Sequence, residues 1–330
     1  MPIRRPLYLS YGLGRDSTAI LAGWQAKGIR PDKIVFADVG SESPSTYAYL
    51  PVINEWLEKV GFPQVTVVRY VPKYAPYTTI EGNCTQNCTL PSEAFGFGAC
   101  TMKWKIEVQE KYARNDPDLA EALKTPGRRI YKAIGYEATE TNRRDKMEKE
   151  TTARAKKTAK KHSTNDPDKY HNFYPLIDWG WDLEECQARI KEAGLPVPPK
   201  SSCFFCPNMK PEEVRALGPE ELGRIIRMEI AAEPYNQKIH GLWRKPRKRD
   251  GRPGSMTEFI LKEHLEFTHP DNLPDKMPRN PNCQKFKNGI TFKPPHLEVS
   301  LNDKLAAAGY PKWYQSVVED EVHKDIIESI

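Results

Sequence analysis

Apolar residues in the first half of the chain fall into short runs separated by longer stretches with helical spacing. The runs are 6–10 around Leu7-Tyr8-Leu9, then DKIVFAD, QVTVVRYV and RIYKAIGYE. Each is short and rich in β-branched or aromatic residues, as strands are. Between them, 17–27, TYAYLPVINEWLEKVG, MKWKIEVQEKYARN and DPDLAEALK repeat apolar residues three or four apart, the mark of amphipathic helices. Strands alternating with helices predict an α/β fold: a twisted parallel sheet with helices on both faces and right-handed crossovers. Further on, Asp182 caps DLEECQARIKEAGLP, with Glu185 three residues later and Gly194 and Pro196 as stops. PEEVRALGPEELGRIIRMEIAAE adds more helix, and from about 244 the periodicity fades into Pro, Lys and Arg. The reading divides the chain into an α/β domain over 1–180 and a smaller, irregular helical region over 181–330.

The first strand–helix junction reads SYGLGRDST over 10–18. Glycines between a strand and a helix start suit an anion, because backbone N–H groups and the helix dipole converge there. Arg15 and Asp16 after Gly14 exclude a Walker loop, and Ser17 stands where a dinucleotide fingerprint needs its third glycine. Asp16 or Ser17 is the expected N-cap. In a parallel sheet the ligand edge gathers the loops after the strands, here SYGLGRDST, ADVGSES and GYEATETNRR.

Length and composition, 330 residues with 28% charged and 38% hydrophobic, suit one large globular domain or two smaller ones. No run of 18 apolar residues occurs, and MPIRRPLYLSYG has no signal-like apolar core, so the expected location is the cytoplasm, without a membrane partner. The net charge of +6 is segregated. Residues 143–162 carry nine Lys/Arg against three acids and 244–252 carry six against one, so the rest of the chain is net acidic. Such segregation fits a phosphate-rich partner or, for 143–162, a solvated insertion.

Seven cysteines stand at 84, 88, 100, 186, 203, 206 and 283. In a reducing compartment clustered cysteines point to metal or catalysis rather than disulfides. Cys203 and Cys206 form a Cys-x-x-Cys turn that suits a metal, a cluster or a redox dithiol. Cys100 is the natural third ligand, with Lys103, Lys105 and Arg143 as the cations that steady a thiolate or anion. Cys186 shares an apolar stripe with Leu183 and Ile190 and reads as core. Cys84 and Cys88 stay undecided, and Cys283 reads as incidental. No histidine pairs with a cysteine at ligand spacing.

Taken together, these stretches resemble one family. SYGLGRDST resembles the PP-loop of the N-type ATP pyrophosphatases, commonly Ser-Gly-Gly-x-Asp-Ser, in the longer form of proteins similar to phosphoadenosine-phosphosulfate (PAPS) reductase. FADVGSESPSTYAYL is similar to that family's second-strand motif, and TLPSEAFGFGACTMKWKIEVQEKY to its Cys-containing substrate-anion segment. IGYEATETNRR resembles its Gly-Ile-Arg-Ala-Asp-Glu-Ser-x-Arg stretch, and YPLIDW with GLPVPPKSSCFFCP the ending of phage and bacterial members. The likeness spans roughly residues 6–260 and is specific to family more than to substrate. Tyr11 departs from it by replacing a loop glycine, and Glu137 and Thr139 replace Arg and Asp, whereas Glu140 and Arg143 are kept. The chain ends VVEDEVHKDIIESI without the C-terminal cysteine of true PAPS reductases, which disfavours that activity.

The resemblance implies cleavage of ATP between the α- and β-phosphates. Ser10, Gly12, Gly14, Asp16 and Ser17 would hold the pyrophosphate, Asp38 adenosine or Mg2+, and Lys103, Lys105 and Arg143 the developing charge. Iron–sulfur members of the family include adenylylsulfate reductases, tRNA thiolases and DNA phosphorothioation enzymes. They pair one cysteine near the third helix with a distant Cys-x-x-Cys, which Cys100, Cys203 and Cys206 reproduce. The implied cofactors are ATP, Mg2+ and a 4Fe-4S cluster, with Zn2+ on the same thiolates as the alternative and Cys84, Cys88 or Cys283 as a possible fourth ligand. The implied partners are a nucleic acid, DNA or tRNA, and a sulfur donor such as a cysteine desulfurase. Two rivals are an amide or amidine ligase using the same ATP chemistry and a non-catalytic zinc-containing nucleic-acid-binding protein.

Overall fold

The computed structural model describes residues 5–75, 77–96, 98–125, 130–149, 170–236, 239–275 and 299–314. Within them the chain forms two compact units. The first comprises residues 1–38, 42–70 and 103–202, and the second 39–41, 71–102 and 203–330. The units interleave along the chain, and the later boundary falls at 202/203 instead of 180/181. The helix over 183–192 stays with the first unit because its apolar face completes that unit's core.

Five strands make the first unit's sheet: β1 (Leu7–Tyr11), β2 (Lys33–Asp38), β3 (Val65–Arg69), β4 (Ile130–Ala133) and β5 (Tyr170–Phe173). Their order is β3-β2-β1-β4-β5 and every pairing is parallel, a Rossmann-like α/β arrangement. Its longer helices are α1 (Arg15–Ala26), α2 (Pro44–Lys59), α3 (Glu107–Asn115), α4 (Pro117–Lys124) and α5 (Leu183–Glu192). Strand alternation sorts the core onto two faces. Leu9, Tyr11, Ile34, Phe36 and Ala133 pack with Ile20 and Trp24 of α1, Ile53 and Leu57 of α2 and Cys186 and Ile190 of α5. Tyr8, Val35 and Ile130 pack on the other face with Ala113 of α3 and Leu119 and Ala122 of α4. Cys186 is fully buried, as its stripe predicts, and burial pushes its thiol up to about 12.

The second unit is built around α6 (Pro219–Ala232), whose residues from Leu222 onward are all buried except Arg224. Such a helix is a core helix, so its charged residues need partners inside. Arg224 and Arg227 meet Glu81 of the short helix Ile80–Gln86, and Arg227 also meets Asp275. Gly223 lets the chain pass close, since a Cβ there would lie 2.0 Å from the Thr268 carbonyl oxygen. The helices α7 (Met256–Lys262) and α8 (Leu301–Ala307) complete the unit. Among the described residues no helix is long and apolar enough to cross a membrane.

Glu233, just past α6, accepts from the Leu301 amide with both oxygens, at 2.8 and 3.0 Å. Burial pushes its carboxyl up to about 7, against the pull of the Leu301 amide and Lys304. A carboxyl raised in the fold keeps a proton that the unfolded chain releases, so its contribution falls as pH rises from about 4.5 to about 7. Thermal melts between pH 5 and 7.5 should show wild type losing roughly 3 kcal/mol relative to Glu233→Gln across that window. Parallel pH profiles for the two proteins would rule this out.

Candidate functional site

β1 ends at Tyr11, and the loop Gly12-Leu13-Gly14 turns directly into α1. Leu13 carries the unusual left-handed φ of +56° and is completely buried, so its side chain anchors the turn against local backbone strain. Tyr11 stays out of the loop: its buried ring joins the core and its hydroxyl lies 2.9 Å from Thr18 Oγ1. The Thr18 hydroxyl and amide both donate to the Gly14 carbonyl, at 2.9 and 3.1 Å. The Gly12 amide donates to Ser17 Oγ at 3.2 Å, and that hydroxyl donates to the Gly14 carbonyl at 3.1 Å.

The N-cap of α1 is Gly14, and no side chain caps it. That corrects the expectation of Asp16 or Ser17, which are the second and third residues of the helix's first turn, whereas the cap position is the residue before the helix. The first amides of α1 therefore open at the carboxyl edge of the sheet. β1 and β4 are where the strand order reverses, the position at which open α/β sheets bind ligands. Gly135, two residues past β4, is pressed onto this helix start: a Cβ there would lie 2.9 Å from the Ser17 amide nitrogen and 3.2 Å from the Asp16 carbonyl carbon.

Charges gather around the same point. Asp16 accepts from Arg15 Nε at 3.0 Å. Burial pushes its carboxyl up, Arg15 pulls it back, and Glu140 and Glu137 add to the rise. Arg143 pairs with Glu140 and lies over the Tyr136 ring at 4.6 Å. Burial lowers the Arg143 pKa, but Glu140, Tyr136 and Asp16 outweigh it and hold the guanidinium charged. Glu137 and Thr139 close on each other: the buried Glu137 carboxylate accepts from the Thr139 amide at 3.1 Å and from its hydroxyl.

Other expected residues point to different tasks. Ser10 Oγ donates to Gln109 Oε1 at 2.8 Å. Asp38 is buried, with Oδ1 accepting from Tyr47 and Oδ2 from Arg69, each at 2.7 Å, so its oxygens already serve the protein. Lys103 and Lys105 lie on a π-helical turn over Met102–Ile106, a geometry that recurs at functional sites. Lys105 reaches buried Glu42 at 3.1 Å, and Glu42 Oε2 has no hydrogen-bond partner among the described residues. Lys103 lies over Tyr70 and Trp104, at 4.8 and 5.1 Å from the ring centres.

The sequence reading passed over Gln109, Glu42 and Ser201. Ser201 Oγ would sit 2.7 Å from a Cβ on Gly14 and 3.7 Å from one on Gly12, so Ser201 borders the loop. The signal available was the serine pair preceding Cys203.

Among the cysteines, Cys100 Sγ lies 3.1 Å from Ser92 Oγ, which also accepts from the Cys100 amide. Cys203 and Cys206 form a tight turn with the Cys206 amide 3.0 Å from the Cys203 carbonyl. The intervening Phe204 and Phe205 are buried edge to face. Cys84 and Cys88 are buried, and Cys283 lies outside the described residues. The donors Cys100, Cys203 and Cys206 suit a cluster or zinc chemically. Among the described residues, however, no three His, Cys, Asp or Glu side chains are gathered to hold a metal. Of the basic stretch 143–162, residues 143–149 are described and the remainder, with His162, lies outside; 244–252 is described throughout. Compared with known proteins, the chain matches no family model and no curated protein, so its function is read from the site alone.

Proposed function

We propose that the chain is an adenylating enzyme of the PP-loop ATP pyrophosphatase type, similar to the PAPS reductase-like family, acting on a nucleic acid. The observation that carries the reading is the uncapped start of α1 behind Gly12-Leu13-Gly14, at the switch point of the sheet and flanked by Gly135 and Arg143. Amides of a helix start hold pyrophosphate without needing a lysine, which accounts for the missing Walker residue.

In this reading a substrate oxygen attacks the α-phosphorus of ATP. The bond to the bridging α–β oxygen breaks and pyrophosphate leaves with the electron pair. The amides at the start of α1 bind the departing group, and Arg143 offsets its growing charge. Asp16 is the carboxylate at the helix start that a nucleotide-bound Mg2+ would meet. Asp38 supports the site through Tyr47 and Arg69, and Ser10 through Gln109. In the second half-reaction the sulfur of hydrosulfide forms the new bond as the bond to the AMP oxygen breaks. AMP leaves with the electron pair and the S–H proton goes to solvent. A cysteine desulfurase together with a thiol reductant, which brings its persulfide sulfur to the sulfide level, is the class of donor. The 4Fe-4S cluster, or zinc, that the resemblance implies on Cys100, Cys203 and Cys206 takes no part in either step, and its presence is a matter of composition to be measured.

The test uses full-length protein purified without oxygen, with α-labelled ATP and either tRNA or DNA. Equal amounts of AMP and pyrophosphate, lost in Arg143→Ala by tenfold or more, are the expected result. ADP with inorganic phosphate, or no turnover with either nucleic acid, would sink it. Metal analysis of the same sample separates the nucleophiles. About four irons with acid-labile sulfide support sulfur transfer, and zinc without sulfide favours the ligase and binding readings.

A further inference from the structure

In the second unit the basic stretch 244–252 folds as a compact hairpin. Arg247 and Arg252 form an isolated antiparallel bridge, with the Arg247 amide 2.7 Å from the Arg252 carbonyl, and Gly251 turns the chain at φ +64°. Its root is fixed from both sides by buried Glu229, which accepts from the Leu242 amide before the hairpin and from Ser255, Met256 and Thr257 after it. Two glycines make the closure possible: a Cβ on Gly241 would lie 2.5 Å from Glu229 Oε1, and one on Gly254 2.6 Å from His240 Cβ.

The hairpin walls an open cavity of about 550 Å3. Arg247, Lys248, Arg252 and Lys304 line it against the single carboxylate of Glu258, with His240 alongside. Arg247 is bound to Asp250 and Lys304 to Glu258. Lys248 and Arg252 make no ion pair among the described residues. Arg252 is the pivotal group. Its guanidinium lies 4.8 Å above the Trp243 ring, which is itself fixed by a 2.9 Å bond from Nε1 to the Met209 carbonyl. Its Nε is buried with no hydrogen-bond partner among the described residues. Burial and the neighbouring Arg247 charge both press its pKa down, and the Asp250 carboxylate offsets them only in part. A stacked, pre-oriented guanidinium beside like charges is relieved by an anion with several acceptor oxygens.

We propose that this cavity grips the phosphate backbone of a nucleic-acid duplex. The proposal rests on the nucleic-acid part of the reading above and names how the partner is held. A duplex is favoured over a single strand because no Phe, Tyr or Trp lines the wall among the described residues, and single-strand sites rely on such rings as platforms for base stacking. Contacts made only to phosphates are independent of sequence and strongly dependent on salt.

The test titrates full-length protein against a labelled random-sequence DNA duplex at several salt concentrations, reading anisotropy. Wild type should bind with a steep salt dependence. The double variant Lys248→Ala/Arg252→Gln should lower the slope of log K against log salt by about two, one per lost phosphate contact. Arg252→Lys should recover part of the slope, since it keeps the charge without the fork. If the double variant does not fold, Lys248→Ala alone, at an exposed position, should lower the slope by about one. An unchanged slope and affinity in the folded variant overturns the proposal. So does tighter binding of the matching single strand, or displacement of the duplex by inorganic pyrophosphate at equal ionic strength, which marks a small-anion site. Binding is read without turnover, so failure of the ATP chemistry and failure of the groove are seen separately.

Discussion

Gly135→Ala is expected to weaken ATP binding and pyrophosphate release about a hundredfold while the sheet stays folded. The added methyl would sit 2.9 Å from the Ser17 amide nitrogen and 3.2 Å from the Asp16 carbonyl carbon. Both neighbours are backbone, which cannot rotate aside, so the loop after β4 and the start of α1 must part. Overpacking of this kind costs about 1–3 kcal/mol of stability. Its larger effect falls on the amides that would contact phosphate. Two companions calibrate the result. Gly12→Ala places its methyl 3.7 Å from Ser201 Oγ, an ordinary contact, and should bind nucleotide nearly as wild type does. Gly14→Ala meets Ser201 Oγ at 2.7 Å, which a hydroxyl rotation eases, and should fall between the two. Calorimetric titration with a non-hydrolysable ATP analogue ranks all three. If Gly135→Ala binds as tightly as Gly12→Ala, the helix start is not where phosphate sits.

Glu229→Gln should destabilise the second unit by about 3–5 kcal/mol although it changes the side chain's size very little. The wild-type carboxylate collects two amides on Oε1, at 2.7 and 3.0 Å, and one amide and two hydroxyls on Oε2, each at 2.6 Å. Burial pushes its carboxyl up, and those donors pull it the other way. A glutamine can keep one acceptor oxygen but turns an NH2 toward the other site, which in either orientation holds at least one amide that cannot reverse role. The loss is therefore concentrated at 241–257, the root of the basic hairpin. Urea denaturation followed by hydrogen exchange should show that segment opening first, and wild-type stability in Glu229→Gln would contradict the assignment. Duplex affinity should fall with it, because a hairpin that is no longer pinned cannot present Arg252.

The chain's own pattern determined the elements of the first unit. β1 to β4 lie where the apolar runs predicted them, and α1, α2 and α4 where the helical spacing did, because each buries a face that its own periodicity defines. Asp182 caps α5 as read, with Oδ1 accepting from the Glu185 amide at 2.9 Å. Local signals sufficed there, since the partners are a few residues apart. β5 has no such signal: Tyr170-His171-Asn172-Phe173 is a short, half-polar strand that pairs, among the described residues, with β4 alone, about forty residues earlier in the chain.

The loop SYGLGRDST marked the position of the candidate site, but its composition was decided by chain crossings. Gly135 and Ser201 reach it from more than a hundred residues away, and Asp38 and Ser10 are drawn off by Arg69, Tyr47 and Gln109. The same holds for Glu229, an unremarkable acid in a helical pattern until segments from both sides of the hairpin converge on it. Periodicity encodes which face of an element is buried. Which donor meets which acceptor depends on where distant segments pass one another, and only the packed chain sets those distances.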